Sequence, residues 1–289
     1  MTRHFATTAN AAYLPRLKVL LDSMRRHCRP FRLHVLAEGE DVASWGREQD
    51  DVAVLRVQDL LALYPQLRPE RLPGPPRNGN ELACCWRWWY VYDLIQAHRV
   101  PVTAVDADLM FFSSPEPVFE EIGAARAAVL PHAFPAAALG LPGVSEESHG
   151  RYSRFNGGFA YFSSPSAAYH MAHATRLHSR ATDYTWPDGR VTWGDQGALS
   201  FIHEDHGAHV IQHVGAAPGP WNVHTQTLRE THDGQVFFGG RPLISFHYHA
   251  LRASGGTLER FTHPCYEVTP EQVRILGEPY VAMLAAAGG

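Results

Sequence analysis

The sequence predicts an α/β fold whose central sheet is mostly parallel but mixed. Segments with strand character alternate with helical segments in the first half of the chain, which is typical of βαβ units. In the second half the strands follow one another at irregular spacing, which favours some antiparallel neighbours. Neither a repeat nor a linker interrupts the 289 residues, so we expect one domain over residues 1–289.

The first half of the chain begins with a short strand and an amphipathic helix. The strand is predicted at Arg3–Thr8, and Asn10 can cap the helix that follows. In that helix Leu14, Leu17, Leu21 and Met24 recur at helical spacing. The further predicted elements are strands at Phe31–Glu38 and Val52–Val57, a Pro- and Gly-rich loop, a helix at Glu81–His98, a strand at Val102–Phe112, a short helix near Pro117–Ile122 and a strand at Ala127–Phe134.

The second half opens with a Gly-, Pro- and Ser-rich segment, Pro135–Tyr152, which we interpret as a mobile loop. The elements predicted after it are a strand at Phe155–Ser164, a helix from Pro165 to about Arg180, a helix within "WGDQGALSFIHE", a strand at "HVIQHV", a hairpin in "QVFFGGRPLISFHYH" that turns at Gly239 and Gly240, and a helix at Pro270–Ala287.

Composition and charge exclude several classes of protein. Hydrophobic residues make up 45% of the chain, enough for a sizeable core. The net charge of −4 and the absence of a basic run argue against nucleic-acid binding. The four cysteines, Cys28, Cys84, Cys85 and Cys265, form no CxxC pair, so neither a disulfide framework nor a zinc site is indicated. Without a signal-peptide pattern or an apolar run of membrane-spanning length, we expect a soluble, cytoplasmic protein. The oligomeric state is not indicated.

Two aspartates, Asp106 and Asp108, interrupt the apolar stretch "VTAVDADLMFF". A buried carboxylate is costly unless it is paired, hydrogen-bonded or bound to metal. Residues two apart in an extended strand point to the same side, so both carboxylates can face one ligand. Two hard oxygen donors suit Mn²⁺ or Mg²⁺ with a substrate diphosphate. Alternatively, the two acids cap a turn or pair with arginine.

Four shorter patterns add polar groups, and each has a purely structural alternative. "RFNGGF" lets the Asn156 amide and backbone approach a ligand closely, or forms a tight turn. "GDQ" places Asp195 and Gln196 at a helix start, facing a sugar or capping the helix. "FHYHALR" contains the candidate metal ligands His247 and His249 and the candidate phosphate ligand Arg252. In "PWN", Trp221 and Asn222 either contact a sugar or belong to the core.

The order of these motifs resembles the metal-dependent nucleotide-diphospho-sugar glycosyltransferases of the GT-A fold. The likeness runs from about Phe5 to Arg252 and is strongest to the retaining branch that contains glycogenin-like and bacterial galactosyltransferase-like enzymes. It implies a Rossmann-like, three-layer sandwich with a nucleotide-binding part at about residues 1–115 and an acceptor and donor-sugar part at about 116–289. It also implies transfer of a sugar from a nucleotide sugar, such as a UDP-sugar, to a saccharide or other hydroxyl acceptor.

The resemblance assigns roles to particular residues. Asp106 and Asp108 match the metal motif, and His247, or as second choice His249, matches the histidine that completes it with Mn²⁺ or Mg²⁺. Asp195 and Gln196 match the pair that holds the donor sugar and faces its anomeric carbon. The residues that match nucleotide- and donor-binding positions are Thr7, Thr8, Asn10, Ala107, Asn156, Gly157, Trp221, Asn222 and Arg252. The helix with "NELACCWRWW" departs from the expected pattern, and Arg77 or Arg87 is the candidate for its missing cation.

Three other functions remain as alternatives. A sugar-phosphate nucleotidyltransferase would carry a Gly-rich, Arg-containing loop after the first strand, whereas this chain has "ATTANAAY" there. A metal-dependent hydrolase of nucleotide sugars would use the same acids and histidines and need no acceptor. A sugar-binding module without catalysis would not need the metal pair.

Overall fold

The computed structural model describes residues 1–73, 79–133, 154–177, 184–185, 191–192, 194–264 and 266–288. Three predictions concern residues outside these ranges: the segment Pro135–Tyr152, Arg77 and Cys265. Within the described residues, no helix is both long and apolar enough to span a membrane.

Strands and helices alternate along the first half of the chain, as predicted. The strands are β1 (Arg3–Asn10), β2 (Phe31–Glu38), β3 (Val52–Arg56), β4 (Val102–Val105), β5 (Leu109–Phe111), β6 (Ala127–Pro131), β7 (Phe155–Phe162), β8 (Tyr184–Thr185), β9 (Val191–Thr192), β10 (His209–Val210), β11 (Leu228–Glu230), β12 (Val236–Phe238), β13 (Arg241–Pro242), β14 (Ser245–His247), β15 (Arg252–Ser254) and β16 (Thr257–Arg260). The helices are α1 (Leu14–His27), α2 (Glu40–Arg47), α3 (Val57–Leu63), α4 (Gly79–His98), α5 (Glu116–Ile122), α6 (Pro165–Leu177), α7 (Gly194–His206), α8 (Pro270–Gln272) and α9 (Glu278–Ala286), with a π-helical turn at Val273–Gly277 between the last two.

The central sheet has seven strands in the order β10-β6-β7-β4-β1-β2-β3. Strands β1, β2, β3 and β4 are parallel to one another, and β7 runs antiparallel between β4 and β6. The predicted mostly parallel, mixed sheet is therefore confirmed. Because β1, β2 and β4 are parallel neighbours, their carboxyl ends meet at one edge of the sheet, where ligands bind in folds of this kind.

Helices cover both faces of the sheet and make it the middle of three layers. On one face α4, α6 and α7 bury residues such as Trp88, Met171 and Leu199 against the sheet. On the other face α1, α2 and α5 bury residues such as Leu20 and Phe119. A third apolar cluster joins β14 to the C-terminal helices, where the Tyr248 and Tyr280 rings stack at 3.6 Å between centroids.

The stretch Val102–Phe112, predicted as one strand, is two strands separated by a turn. β4 ends at Val105, and β5 leaves the central sheet to pair antiparallel with β14. The Leu109 N–H donates to the Asp106 carbonyl at 3.2 Å, which closes the turn. The prediction of a single strand was wrong because β5 pairs with β14 and not with the central sheet. β14 lies more than 130 residues downstream, so the local sequence does not indicate this pairing. "HVIQHV" also forms a shorter strand than predicted, only His209–Val210.

Candidate active site

The two aspartates of the acid pair lie in the turn that follows β4, at the carboxyl edge of the sheet. The Asp106 N–H donates to the Gly158 carbonyl of β7 at 3.0 Å, and the Asp108 carbonyl accepts from the Tyr248 N–H at 3.0 Å. The backbone is thus held on both sides of the turn. The carboxylates converge because of this turn and not, as the sequence argument assumed, because of the alternation of side chains along a strand.

His247 completes a three-residue cluster with the acid pair. It lies opposite Leu109 in the β5–β14 pairing, which brings it to the turn. Its Nε2 is 3.3 Å from Asp106 Oδ2 and 3.1 Å from Asp108 Oδ1. One ligand atom from each residue lies within 4.8 Å of the others, a spacing that suits a shared metal ion. The expected closeness of the acids to a downstream histidine is therefore confirmed for His247.

Electrostatics within this cluster favour the charged forms of its members. Burial alone would raise the pKa of Asp108, but the charge of His247, its hydrogen bond and the charge of Arg16 lower the pKa to about 2. Burial alone would lower the pKa of His247, but Asp108 and Asp106 raise it. Both pKa shifts favour an ion pair between His247 and the two acids.

Arg87 joins the acid pair to the predicted catalytic aspartate. Its guanidinium contacts Asp106 through Nη1 and donates to Asp195 Oδ2 from Nη2 at 2.8 Å. Trp88, the next residue of α4, donates from Nε1 to the same Asp195 oxygen at 3.1 Å. The Arg87 side chain is only 8% exposed, so this bridge is well shielded from water.

Two glycines of β7 leave room for this arrangement. A Cβ at Gly157 would lie 3.3 Å from both the Arg87 Nη2 and the Asp195 Oδ2, and 3.7 Å from Gln196. A Cβ at Gly158 would lie 2.5 Å from the His247 Nδ1, closer than side chains tolerate. The "NGG" motif therefore acts by the absence of side chains, which lets β7 pass close to the site.

Asn156, the first residue of that motif, is buried behind the site. Its amide nitrogen lies 3.1 Å from His132 Nε2, and its oxygen accepts from the Gly158 N–H. The His132 ring packs edge-to-face on Trp221, with 4.9 Å between centroids, and Trp221 packs in the same way on His247 at 5.2 Å. Trp221 is only 4% exposed, so in this structure it supports His247 and His132 as a core residue.

An open cavity lies in front of the acid pair and extends across the ends of β4, β1 and β2. The residues that line it are Thr8, Ala9, Asn10, Tyr13, Glu38, Ala83, Cys84, Arg87, Asp106, Ala107, Asp108, His247 and His249. Asn10 also caps the short helical turn after β1 by accepting from the Tyr13 N–H at 3.2 Å. The buried hydroxyl oxygens of Thr7 and Thr8 have no hydrogen-bond partner among the described residues.

Several predicted donor-binding residues do not line this cavity. Thr7 and Asn156 are buried behind its wall. Arg252 is exposed on β15, and Asn222 accepts from the Gly219 N–H at 3.3 Å within its own turn. These four assignments, like the roles of the lining residues, stay predictions.

Several residues of the site were not predicted from the sequence, among them Glu38, Tyr13 and Arg16. Glu38 and Tyr13 line the cavity, and Glu38 could have been found because it ends β2 at the same edge as Asp106. Arg16 of α1 lies 3.6 Å from Asp108 Oδ2. From the sequence alone, an arginine near the start of an amphipathic helix cannot be told apart from an ordinary surface residue.

No protein-family model matches the chain. The uncharacterized protein YfnD of Bacillus subtilis strain 168 is 25% identical over 297 residues, which span 98% of this chain and 89% of YfnD.

Solved structures of glycosyltransferases share the fold. The galactosyltransferase LgtC, solved with donor and acceptor sugar analogs, matches 98% of this chain and 95% of its own, at 16% identity and a TM-score of 0.59. The bifunctional glycosyltransferase WbbM matches 96% of this chain and 51% of its own, at 12% identity and a TM-score of 0.51. The predicted Rossmann-like sandwich is confirmed, and the chain has the GT-A fold in a form that resembles LgtC along nearly its whole length.

Proposed function

We propose that the protein is a metal-dependent glycosyltransferase that moves a sugar from a UDP-sugar to a hydroxyl of a saccharide or other acceptor, with retention of configuration. One observation carries the proposal: Asp106, Asp108 and His247 converge in the wall of an open cavity at the carboxyl edge of the sheet. A sugar-binding module would have no need of this cluster.

The residues present fit a divalent metal ion. Two carboxylates and one imidazole nitrogen form a donor set that Mn²⁺ accepts, and Mg²⁺ is the alternative. His247 Nε2 faces both acids, so it can join them as a ligand while its Nδ1 keeps the proton. When bound, such an ion would offset the negative charge that develops on a departing diphosphate.

The nucleotide would lie across the ends of β4, β1 and β2. With the diphosphate at Asp106 and Asp108, the ribose and base extend toward Thr8, Asn10 and Tyr13 in the same cavity. The part of the proposal that names UDP rests on the motif order described above. The loop after β1 contains no glycine or arginine, which disfavours the nucleotidyltransferase alternative.

The donor sugar would lie beside β7, next to Asp195 and Gln196. One oxygen of Asp195, Oδ2, accepts from both Arg87 and Trp88, so it is already engaged by two donors. An inverting enzyme needs a carboxylate that is able to take the acceptor's proton. The tethered Asp195 therefore favours retention, with Gln196 near the anomeric carbon. A glutamine-to-glutamate mutant of LgtC is described as an active-site mutant, which agrees with this role for Gln196.

UDP binding to the double variant Asp106→Asn with Asp108→Asn tests the proposal. Isothermal titration with and without Mn²⁺ should show metal-dependent binding to the unaltered protein and none to the variant. A matched control, Asp22→Asn with Asp59→Asn, removes two carboxylates outside the site and should bind as the unaltered protein does. Tight, Mn²⁺-dependent UDP binding that survives in the first variant would show that the metal site lies elsewhere.

Product analysis separates transfer from hydrolysis. A panel of UDP-sugars is incubated with Mn²⁺ and candidate acceptors, and both UDP and the sugar products are quantified. The proposal predicts a glycosylated acceptor whose anomeric configuration matches that of the donor. Release of UDP and free sugar at the same rate with and without acceptor would support the hydrolase instead.

A further inference from the structure

Arg16 of α1 lies beside the second acid of the pair, Asp108. Its Nη1 lies 3.6 Å from Asp108 Oδ2, and its Nη2 donates to the Leu251 carbonyl at 2.8 Å. Its guanidinium also lies over the Tyr13 ring, 5.3 Å from the centroid. The Arg16 side chain is 21% exposed, and these contacts hold it beside Asp108.

Each acid of the pair therefore has its own arginine. Arg87 contacts Asp106, and Arg16 accompanies Asp108 through the oxygen that does not face His247. Because Arg16 is near Oδ2 while His247 is near Oδ1, Oδ1 stays available to bind a metal ion together with His247. It acts through its charge, which reduces the negative potential that attracts a cation.

We propose, on the basis of the function proposed above, that Arg16 makes metal binding depend on the diphosphate. Three carboxylates, Asp106, Asp108 and Asp195, face two guanidiniums, so these five side chains carry a net charge of −1 without ligand. A divalent ion alone would leave it with excess positive charge. An ion that arrives with a diphosphate brings the matching negative charge, so the two ligands bind cooperatively.

This role predicts two opposite effects when the Arg16 charge is removed. Even with full water screening, a unit charge a few ångströms from a divalent ion weakens its binding about tenfold. Arg16→Met should therefore bind Mn²⁺ alone about tenfold more tightly. The same variant should bind UDP more weakly at saturating Mn²⁺, because a positive charge near the diphosphate is lost. A loss of local structure would weaken both.

The test measures Mn²⁺ binding without nucleotide, and UDP binding at saturating Mn²⁺, by isothermal titration of metal-free protein. Arg16→Gln is the second neutral variant, since its amide can still donate to the Leu251 carbonyl if Arg16→Met folds poorly. Arg16→Lys keeps the charge and should match the unaltered protein within about threefold. Arg25→Met removes an arginine of the same helix that pairs with Asp51 at 2.8 Å, outside the site, and should change neither affinity.

The outcomes separate this inference from the proposed function. Tighter Mn²⁺ binding together with weaker UDP binding in both neutral variants supports the inference. Unchanged or weaker Mn²⁺ binding in either folded neutral variant overturns it, while the proposed function stands. If the unaltered protein binds no Mn²⁺ even with UDP present, the proposed function itself fails and the inference with it.

Discussion

Removing Arg87 tests whether the bridge between the acid pair and Asp195 organises the site. The variant Arg87→Met keeps most of the side-chain volume but leaves Asp106 and Asp195 facing each other without their cation. Asp195 keeps the Trp88 donor at 3.1 Å. The site must then hold repelling carboxylates in a partly buried environment.

The magnitude follows from the exposure of the three side chains. Breaking a buried ion pair by removing one partner costs about 3–5 kcal/mol. Arg87 is 8% exposed and Asp195 13%, but Asp106 is 30% exposed and partly screened by water. We therefore expect the lower end, about 3 kcal/mol. Since unfolding entropy is about 2.1 cal/mol/K per residue, a chain of this length should lose about 5 °C in Tm.

The assay is thermal unfolding of the single variants Arg87→Met and Asp195→Asn and of the double variant. Because the double variant no longer buries an unpaired carboxylate at position 195, its loss of Tm should be smaller than the sum of the Tm losses of the two single variants. Arg25→Met breaks a more exposed pair with Asp51, 31% and 19% exposed, and should cost about 1 kcal/mol or less. If Arg87→Met had a Tm within about 1 °C of the unaltered protein, or if the Tm losses of the two single variants simply added, the bridge would not organise the site.

Two further predictions concern single positions. Gly158→Ala places a Cβ 2.5 Å from His247 Nδ1, so the His247 ring must shift. Mn²⁺ affinity in the presence of UDP, measured by isothermal titration, should then fall at least about tenfold. Gly79→Ala, whose Cβ meets nothing within 4 Å, should leave this affinity unchanged. Burial first, and then the charges of His4, His98 and Arg32, lower the pKa of His34 to about 3. Below pH 6.5 His34 is protonated in the unfolded chain, whereas in the folded chain it stays neutral down to about pH 3. The free energy of unfolding should therefore fall by roughly 1–2 kcal/mol from pH 7 to pH 5. Urea unfolding of His34→Phe should show a shallower pH dependence over that range, and an equal slope would contradict the assignment.

The acid pair and its histidine could be predicted because each belongs to a short, strongly patterned segment. Apolar residues before Asp106 indicated a buried strand, and the parallel order placed its end at the ligand-binding edge. The turn at Asp106–Asp108 could not be predicted, since apolar residues continue on both sides of it. The turn forms because β5 pairs with β14, a segment far away in the chain.

Arg87 shows the limit of reasoning from local sequence. It was one of two candidate cations, and nothing in "NELACCWRWW" indicated which carboxylates it would meet. Its bridge needs α4, the turn after β4 and the start of α7 to converge on one point. Arg16 was missed for the same reason, because its partner Asp108 lies on a different element that only the fold brings near.

Anomalous scattering from manganese in crystals grown with Mn²⁺ and UDP would locate the metal ion. We predict one strong peak within bonding distance of the Asp106 and Asp108 carboxylates and of His247 Nε2, with the UDP diphosphate on its open side. A diphosphate bound in the cavity with no manganese at these three residues, or manganese bound at other residues, would contradict it.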